Sequence, residues 1–395
     1  MLVIQMILEL SAYGRGHAQP FHSFFVWGDA CYNGDTSFNL GWIACRSLNE
    51  FAILNGCVPD LERRRIHMDK GQAFGEIQDV EVTLLVDNRA DLILESTDTV
   101  KRFNDTPLLA EHGFAALIDL KSINMRILWD TGMMPTTMLE NMLRMEIDPA
   151  TIDKIVISHG HRDHTAGVTE ILKAIDARPS PKEWESESTS EDMSHGGDWR
   201  RIPLIAHPAA YRERWNFPEE GRVYGPILPP PQDEWRALGA EIILSAGPCR
   251  LGPGCWTTGE VPRRSFEKSG RSATMRYREG EAFLPDDIEE DQAIVLHVKD
   301  KGLVVVSGCA HSGIVNTVDY AIEISGVERV WAILGGFHLA RSPEDELALT
   351  VEAIKQYKPK LIAPSHCTGF KAMCRFATEM PEAFIYGVVG TKYLF

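Results

Sequence analysis

The sequence predicts an α/β or α+β domain in which strands deliver metal-binding loops to a common rim. Three observations predict it. The apolar run Ile155-Val156-Ile157 ends abruptly in Ser158-His159-Gly160-His161-Arg162-Asp163-His164, as a buried strand running into a polar loop would. Three later apolar runs also close on a histidine within a loop bearing Gly or Ser. Strand-like runs come first along the chain, and strands then alternate with helical patterns, the order expected of sheets covered by helices.

The elements follow in order. Val80 to Asn88 alternates as a strand. Glu111-His112-Gly113 precedes a second strand, Phe114 to Asp119, and Arg126 to Trp129 forms a third, closed by Asp130-Thr131-Gly132. A helical pattern spans Thr136 to Met145. The strand at 154–158 carries the metal loop, and a helix follows from Val168 to Ile175. Strands Ala293 to Val298 and Leu303 to Val306 lead to Ser307-Gly308-Cys309-Ala310-His311. Val330 to Leu334 leads to Gly335-Gly336-Phe337-His338, and Leu361 to Ala363 leads to Pro364-Ser365-His366-Cys367. Loops at one rim can converge on one site although they lie far apart in sequence.

Residues 1–75 show no clear period and read as an N-terminal extension of unassigned role. Residues 76–395 read as the main domain, with insertions near 178–200 and 263–291. The first insertion is rich in Ser, Glu and charge, with little to bury. The second carries Phe266, Met275, Tyr277 and Phe283 and reads either as a lid over the site or as an exposed connection.

Histidine is uncommon here, 13 in 395 residues, so three within the six positions from His159 to His164 form an improbable cluster. Imidazole and carboxylate suit zinc, and also iron or manganese. Four donors are too many for one tetrahedral ion that must keep a water. They suit half of a two-metal site.

Composition bounds the rest. Apolar content of 44% and charged content of 24% are those of an ordinary globule. A net charge of −16 disfavours nucleic acid, whose binding needs a basic surface. Arg200, Arg201, Arg212 and Arg214 lie close in sequence but read as solvated surface. No stretch approaches a membrane span. The eight cysteines form no CxxC pairs, so reduced thiols in a cytoplasm are expected. Homo-oligomerisation is left open.

His-x-His-x-Asp-His after a strand resembles the signature of the metallo-β-lactamase superfamily. Leu128-Trp129-Asp130-Thr131-Gly132, Thr258-Gly259-Glu260-Val261-Pro262-Arg263, Ser307 to Ile314, Leu334 to His338 and Ser365 to Gly369 narrow the match. Together they resemble the 7,8-dihydropterin-6-ylmethyl-4-(β-D-ribofuranosyl)aminobenzene 5′-phosphate synthase subgroup, which is dihydropteroate-synthase-like. The resemblance runs from about Val80 to Phe395.

It implies a four-layer αβ/βα sandwich and two divalent metal ions, zinc first, with iron or manganese as alternatives. It implies His159, His161 and a later His at one metal, and Asp163, His164 and a C-terminal His at the other. His311 and His366 take the two later roles. Asp163 would also orient or accept a proton. Asp130 resembles the Asp that supports the metal loop. The sequence departs from the superfamily pattern twice. Cys309 stands where many members supply a bridging Asp, as a thiolate ligand or, preferred, a small buried residue. Thr258-Gly259-Glu260 stands where a third His is usual. Glu260 could be a ligand, a substrate contact or, ranked first, an acceptor that orients a His. His207 and His338 could meet an anionic substrate or donate a proton, or be core histidines. Glu111, His112 and Asn88 match family positions without a derivable role.

The implied function is a metal-dependent hydrolase in which metal-activated hydroxide attacks a small anionic, phosphorylated ester. The alternatives are a pterin–arylamine synthase that releases pyrophosphate, and a non-catalytic metal-binding sensor.

Overall fold

The computed structural model describes residues 74–175, 201–268, 270 and 272–395. The expected extension, apart from residues 74 and 75, and the whole of the expected insertion at 178–200 lie outside the described residues.

The strands, in chain order, are β1 Val80–Val86, β2 Val100–Arg102, β3 Ala115–Leu120, β4 Met125–Trp129, β5 Lys154–Val156, β6 Ile202–Ala206, β7 Arg214–Asn216, β8 Tyr224–Ile227 and β9 Ala240–Leu244. They continue as β10 Cys249–Gly252, β11 Cys255–Thr257, β12 Met275–Glu279, β13 Ala282–Pro285, β14 Ala293–Val298, β15 Gly302–Ser307, β16 Val330–Gly336, β17 Leu361–Ser365 and β18 Thr391–Leu394. The helices are α1 Thr137–Arg144, α2 Arg162–Thr165, α3 Val168–Ile175, α4 Gln232–Ala237, α5 Ile314–Ser325, α6 Glu344–Gln356 and α7 Phe370–Glu379.

Two large sheets form the frame. One has the order β2-β18-β1-β3-β4-β5-β6-β9 and the other β10-β11-β14-β15-β16-β17. Period-2 alternation assigns their faces. Val82 and Leu84 of β1, Ile118 of β3 and Trp129 of β4 point into a core shared with Val304, Val306 and Leu334 of the second sheet. Neighbouring residues turn the other way. Leu117 and Leu128 pack with Met138 and Met142 of α1 and with Ile171 and Leu172 of α3. Ile333 and Ile362 pack with Val318 of α5, Val351 of α6 and Phe376 of α7. The layers are therefore helix, sheet, sheet, helix, the four-layer sandwich expected.

The strand directions place the site. β4, β5 and β6 are parallel neighbours. So are β15, β16 and β17. Their C-terminal ends carry Asp130, Ser158 to His164, His207, Cys309 to His311, His338 and His366. Ligands in α/β sheets gather at carboxyl ends of parallel strands for this reason. Gly308 lets the two sheets meet there. A Cβ at this position would lie 2.2 Å from Ser158 Oγ and 2.9 Å from Asp130 Oδ2.

The segment 263–291 is more ordered than a plain connection. β12 and β13 form a hairpin that joins β7 and β8 in a third sheet of order β13-β12-β7-β8. Among the described residues, no helix is long and apolar enough to cross a membrane.

Candidate metal centre

The loop after β5 is held by Asp130. Its backbone is left-handed, with φ +60°, and its side chain is wholly buried. Oδ1 accepts the Ser158 N–H at 2.7 Å, and Oδ2 accepts the Ser158 hydroxyl at 2.7 Å. His164 Nδ1 lies 2.7 Å from the same Oδ2. That contact fixes the His164 ring and turns its Nε2 toward the rim, where Cys309 Sγ lies 3.1 Å away.

The donors fall into groups whose ligand atoms all lie within 4.8 Å of one another. One is His159, His161 and His311, and another is Asp163, His164, Cys309 and His366. A third group, Cys309, His311 and His338, overlaps both. The six residues named from sequence as ligands thus gather in two sets. Cys309 Sγ is within reach of donors in each set.

Each histidine outside the loop is aimed by a partner on its other side. His311 Nδ1 lies 2.9 Å from the Gly270 carbonyl. His366 Nδ1 lies 3.0 Å from Asn88 Oδ1, and its backbone N–H donates to Asp87 Oδ1 at 2.7 Å. The Nε2 atoms of both are buried without a hydrogen-bond partner. His366 Nε2 is 3.2 Å from Asp163 Oδ2, close enough for an ion pair but without hydrogen-bond geometry. A buried imidazole nitrogen without a partner is costly unless something fills the role. With soft and hard donors converging on the same space, the residues fit divalent cations.

The electrostatics agree. Burial and neighbouring imidazoles hold His159 and His311 well below the ordinary histidine range. Burial lowers His161 to about 4. These rings are neutral at pH 7, as ligation requires. Burial also opposes charge on His164, but Asp163 and Asp130 outweigh it and raise the ring to about 9. Burial opposes the Asp163 carboxylate, and His164, His366 and His161 outweigh it, so Asp163 stays ionised. Burial pushes the Cys309 thiol far up.

A family model described as the metallo-beta-lactamase superfamily matches residues 114–366. The chain belongs to this superfamily. A protein of Methanocaldococcus jannaschii named 7,8-dihydropterin-6-methyl-4-(beta-D-ribofuranosyl)-aminobenzene-5'-phosphate synthase is 34% identical over 285 residues, covering 71% of this chain and 88% of the relative. Uncharacterized protein MJ0448 of the same organism is 28% identical over 309 residues, covering 78% of this chain and 98% of that protein. The crystal structure of Tm1679, a metal-dependent hydrolase of the beta-lactamase superfamily, shares the fold at a TM-score of 0.59 and 22% identity, over 79% of this chain and 98% of that one.

Within this metallo-β-lactamase frame, the remaining candidate residues take varied places. His338 packs against His311 with ring centroids 4.1 Å apart and the planes tilted by 44°. Its backbone is left-handed, with φ +48°. His207 belongs to none of the donor groups among the described residues. Its Nδ1 accepts the Ala209 N–H at 3.1 Å and caps the short turn that follows β6. Glu260 also lies outside the donor groups, and its N–H bonds the Ala246 carbonyl. The third histidine grouped with His159 and His161 is His311, which follows β15, and not a residue of the 258–260 turn.

The sequence left Glu111, His112 and Asn88 without roles and did not single out Asp87; Glu111 accepts the Met133 N–H at 2.8 Å. Asn88 and Asp87 seat His366. His112 Nε2 stands 3.6 Å from Asp163 Oδ2, with its ring 63% exposed. The available signal was Asp87-Asn88 ending an apolar strand, the same pattern that marked the histidine loops.

Proposed function

We propose that the chain is a two-metal hydrolase of a small phosphorylated anion. The reading is carried by two donor sets that share one rim, His159-His161-His311 and Asp163-His164-His366. Divalent cations held there supply Lewis acidity to the phosphoryl group and to water. Zinc is the first choice for imidazole donors with a thiol nearby.

The chain's own groups do the rest. Asp163 stays ionised, so it accepts a hydrogen bond from the attacking water and orients it. A carboxylate held so acidic is too weak a base to take the proton outright. His338 is opposed by burial but raised above the ordinary range by Cys367 beside it. A proton on this ring could be given to the leaving oxygen. Asp163 keeps 18% of its side chain exposed, beside the more open His112. Solvent reaches the reacting face, which suits hydrolysis.

The name of the 34%-identical relative favours a second reading, in which an arylamine displaces pyrophosphate from a pterin carbon. Such an electrophile has to be kept from water, so the solvent contact that Asp163 retains favours the hydrolase. The test uses metal-loaded protein and its Asp163→Asn variant with phosphomonoesters, phosphodiesters, a lactone and a β-lactam. Phosphate ester hydrolysis that falls at least 100-fold in the variant supports the proposal. A pterin–arylamine adduct formed with release of pyrophosphate replaces it with the second reading. Two bound metals without turnover of any substrate favour a metal-binding sensor.

A further inference from the structure

A cavity of about 520 Å³ opens beside the metal loop, and two of the proposed ligands, His161 and Asp163, line it. The volume is within the range of small-molecule sites. One wall is Leu228-Pro229-Pro230-Pro231, the segment between β8 and α4. Three consecutive prolines fix the backbone φ angles, so this wall is rigid before anything binds. Met275 of the hairpin and Ile227 of β8 extend the apolar surface, with the buried Trp235 of α4 behind it.

The polar groups around it are largely committed elsewhere. Trp235 Nε1 donates to Thr169 Oγ1, and Thr165 Oγ1 donates to the His161 carbonyl. Arg212 pairs with Glu289 at 2.6 Å and lies over the Tyr277 ring. Arg162 is exposed, and among the described residues its guanidinium makes no ion pair or hydrogen bond. Among the described lining residues, no carboxylate or amide side chain other than Asp163 is present. A heterocycle with a guanidine-like edge would find no bidentate acceptor on this wall.

We propose that this cavity is the specificity subsite for the organic part of the substrate. It selects a flat aryl group on a phosphorylated anion, with Arg162 meeting the anion's charge. A rigid ring loses no rotor freedom against a rigid proline wall, whereas an alkyl chain must freeze each bond. The inference rests on the two-metal reading for the phosphoryl end.

The experiment measures calorimetric binding of phenylphosphonate, methylphosphonate and hexylphosphonate to the metal-loaded protein and to Leu228→Ser. Leu228 is 76% exposed, so the variant keeps its fold. Phenylphosphonate should bind the parent about tenfold tighter than methylphosphonate, the effect of roughly 60 Å² of apolar area at ~25 cal/mol per Å². Leu228→Ser should reduce that ratio to about two or three. Equal phenyl and methyl affinities, or a ratio unchanged in the variant, overturn the subsite alone. Hexylphosphonate as tight as phenylphosphonate overturns the aryl selection. Failure of all three phosphonates on protein holding two metals overturns the metal-centre reading, and the subsite falls with it.

Discussion

Replacing Asp130 with asparagine probes the hinge of the metal loop. The carboxyl group receives the Ser158 N–H, the Ser158 hydroxyl and His164 Nδ1, each at 2.7 Å. An asparagine oxygen can keep one side of this arrangement, but its amide must then face a donor. One charge-assisted hydrogen bond is lost where no water replaces it, at about 2–3 kcal/mol. The proton count gives a sharper readout. In the metal-free protein His164 is raised to about 9 despite burial, through Asp163 and Asp130. Its folded value exceeds the unfolded one. It therefore adds stability fully below about pH 6.5, and this is lost as pH rises through 9. At pH 7 a metal ion must displace that proton, about two pK units or roughly 3 kcal/mol. Zinc titration in two buffers of different ionisation enthalpy should show about one proton released at this position. In Asp130→Asn, burial is opposed by Asp163 and Cys367 without Asp130, so His164 loses its proton earlier and fewer protons are released on metal binding. A thiolate formed at Cys309 would add equally to both proteins and cancel in the difference. Equal proton release, together with an unchanged urea midpoint for the metal-free variant, would refute this account of Asp130.

Other outcomes follow from the packing around the loop. In Gly160→Ala the added Cβ would lie 2.2 Å from the Ala210 carbonyl. The loop must shift, and unfolding should show a loss of about 1–3 kcal/mol, with weaker binding at the His159-His161-His311 set by metal titration. Arg214 is buried between Asp286 and Glu290, and Glu290 also receives the Gly160 N–H at 3.3 Å. Arg214→Met should cost about 3–5 kcal/mol, because it strands buried carboxylates. Glu290, which burial pushes up to about 7, should tolerate Gln at under ~1.5 kcal/mol in the same urea assay. His207→Ala should lose about 1 kcal/mol through its cap and leave metal content at two per chain. A 100-fold loss of kcat in that variant would instead return His207 to the reacting centre.

The strands that carry the candidate ligands were legible because each joins an apolar run to a polar end bearing Gly or Ser. β5, β15, β16 and β17 all have that signature, and α3 was read at its full length. Short edge and bridging strands left less signal. β7 and β11 have three residues each, too few to establish a period. β12 and β13 lie in a charged segment, and pairing with β7 decides their structure more than their own sequence does. At the site, residue type exposed the histidines and Asp163. It did not expose the groups that aim them, since Asn88 and the Gly270 carbonyl are ordinary loop chemistry until the fold brings them to His366 and His311. His207 is the reverse case. It too ends an apolar strand, yet its ring turns back to cap its own loop.

Cys309 decides the charge of the centre. Its side chain is buried and within reach of donors from both sets. If it stays a thiol, Asp163 is the one carboxylate in those sets, and two dications leave a net charge of about +3. A carboxylate at 309 would lower this to about +2. The higher charge suits a polyanionic phosphate ester and would hold the phosphate product more tightly. Cys309→Asp separates these effects. Without metal, it places a second buried carboxylate near Asp163, so the urea midpoint should fall. With metal, the same carboxylate is neutralised, so metal should raise the melting temperature more in the variant than in the parent. Product inhibition by phosphate should weaken by at least about tenfold, the Coulombic effect of one charge on a phosphate monoanion at roughly 10 Å with an effective dielectric of about 20. If metal protects the variant less than the parent, or phosphate inhibits both equally, Cys309 does not set the charge of the centre, and its place at 309 reflects packing alone.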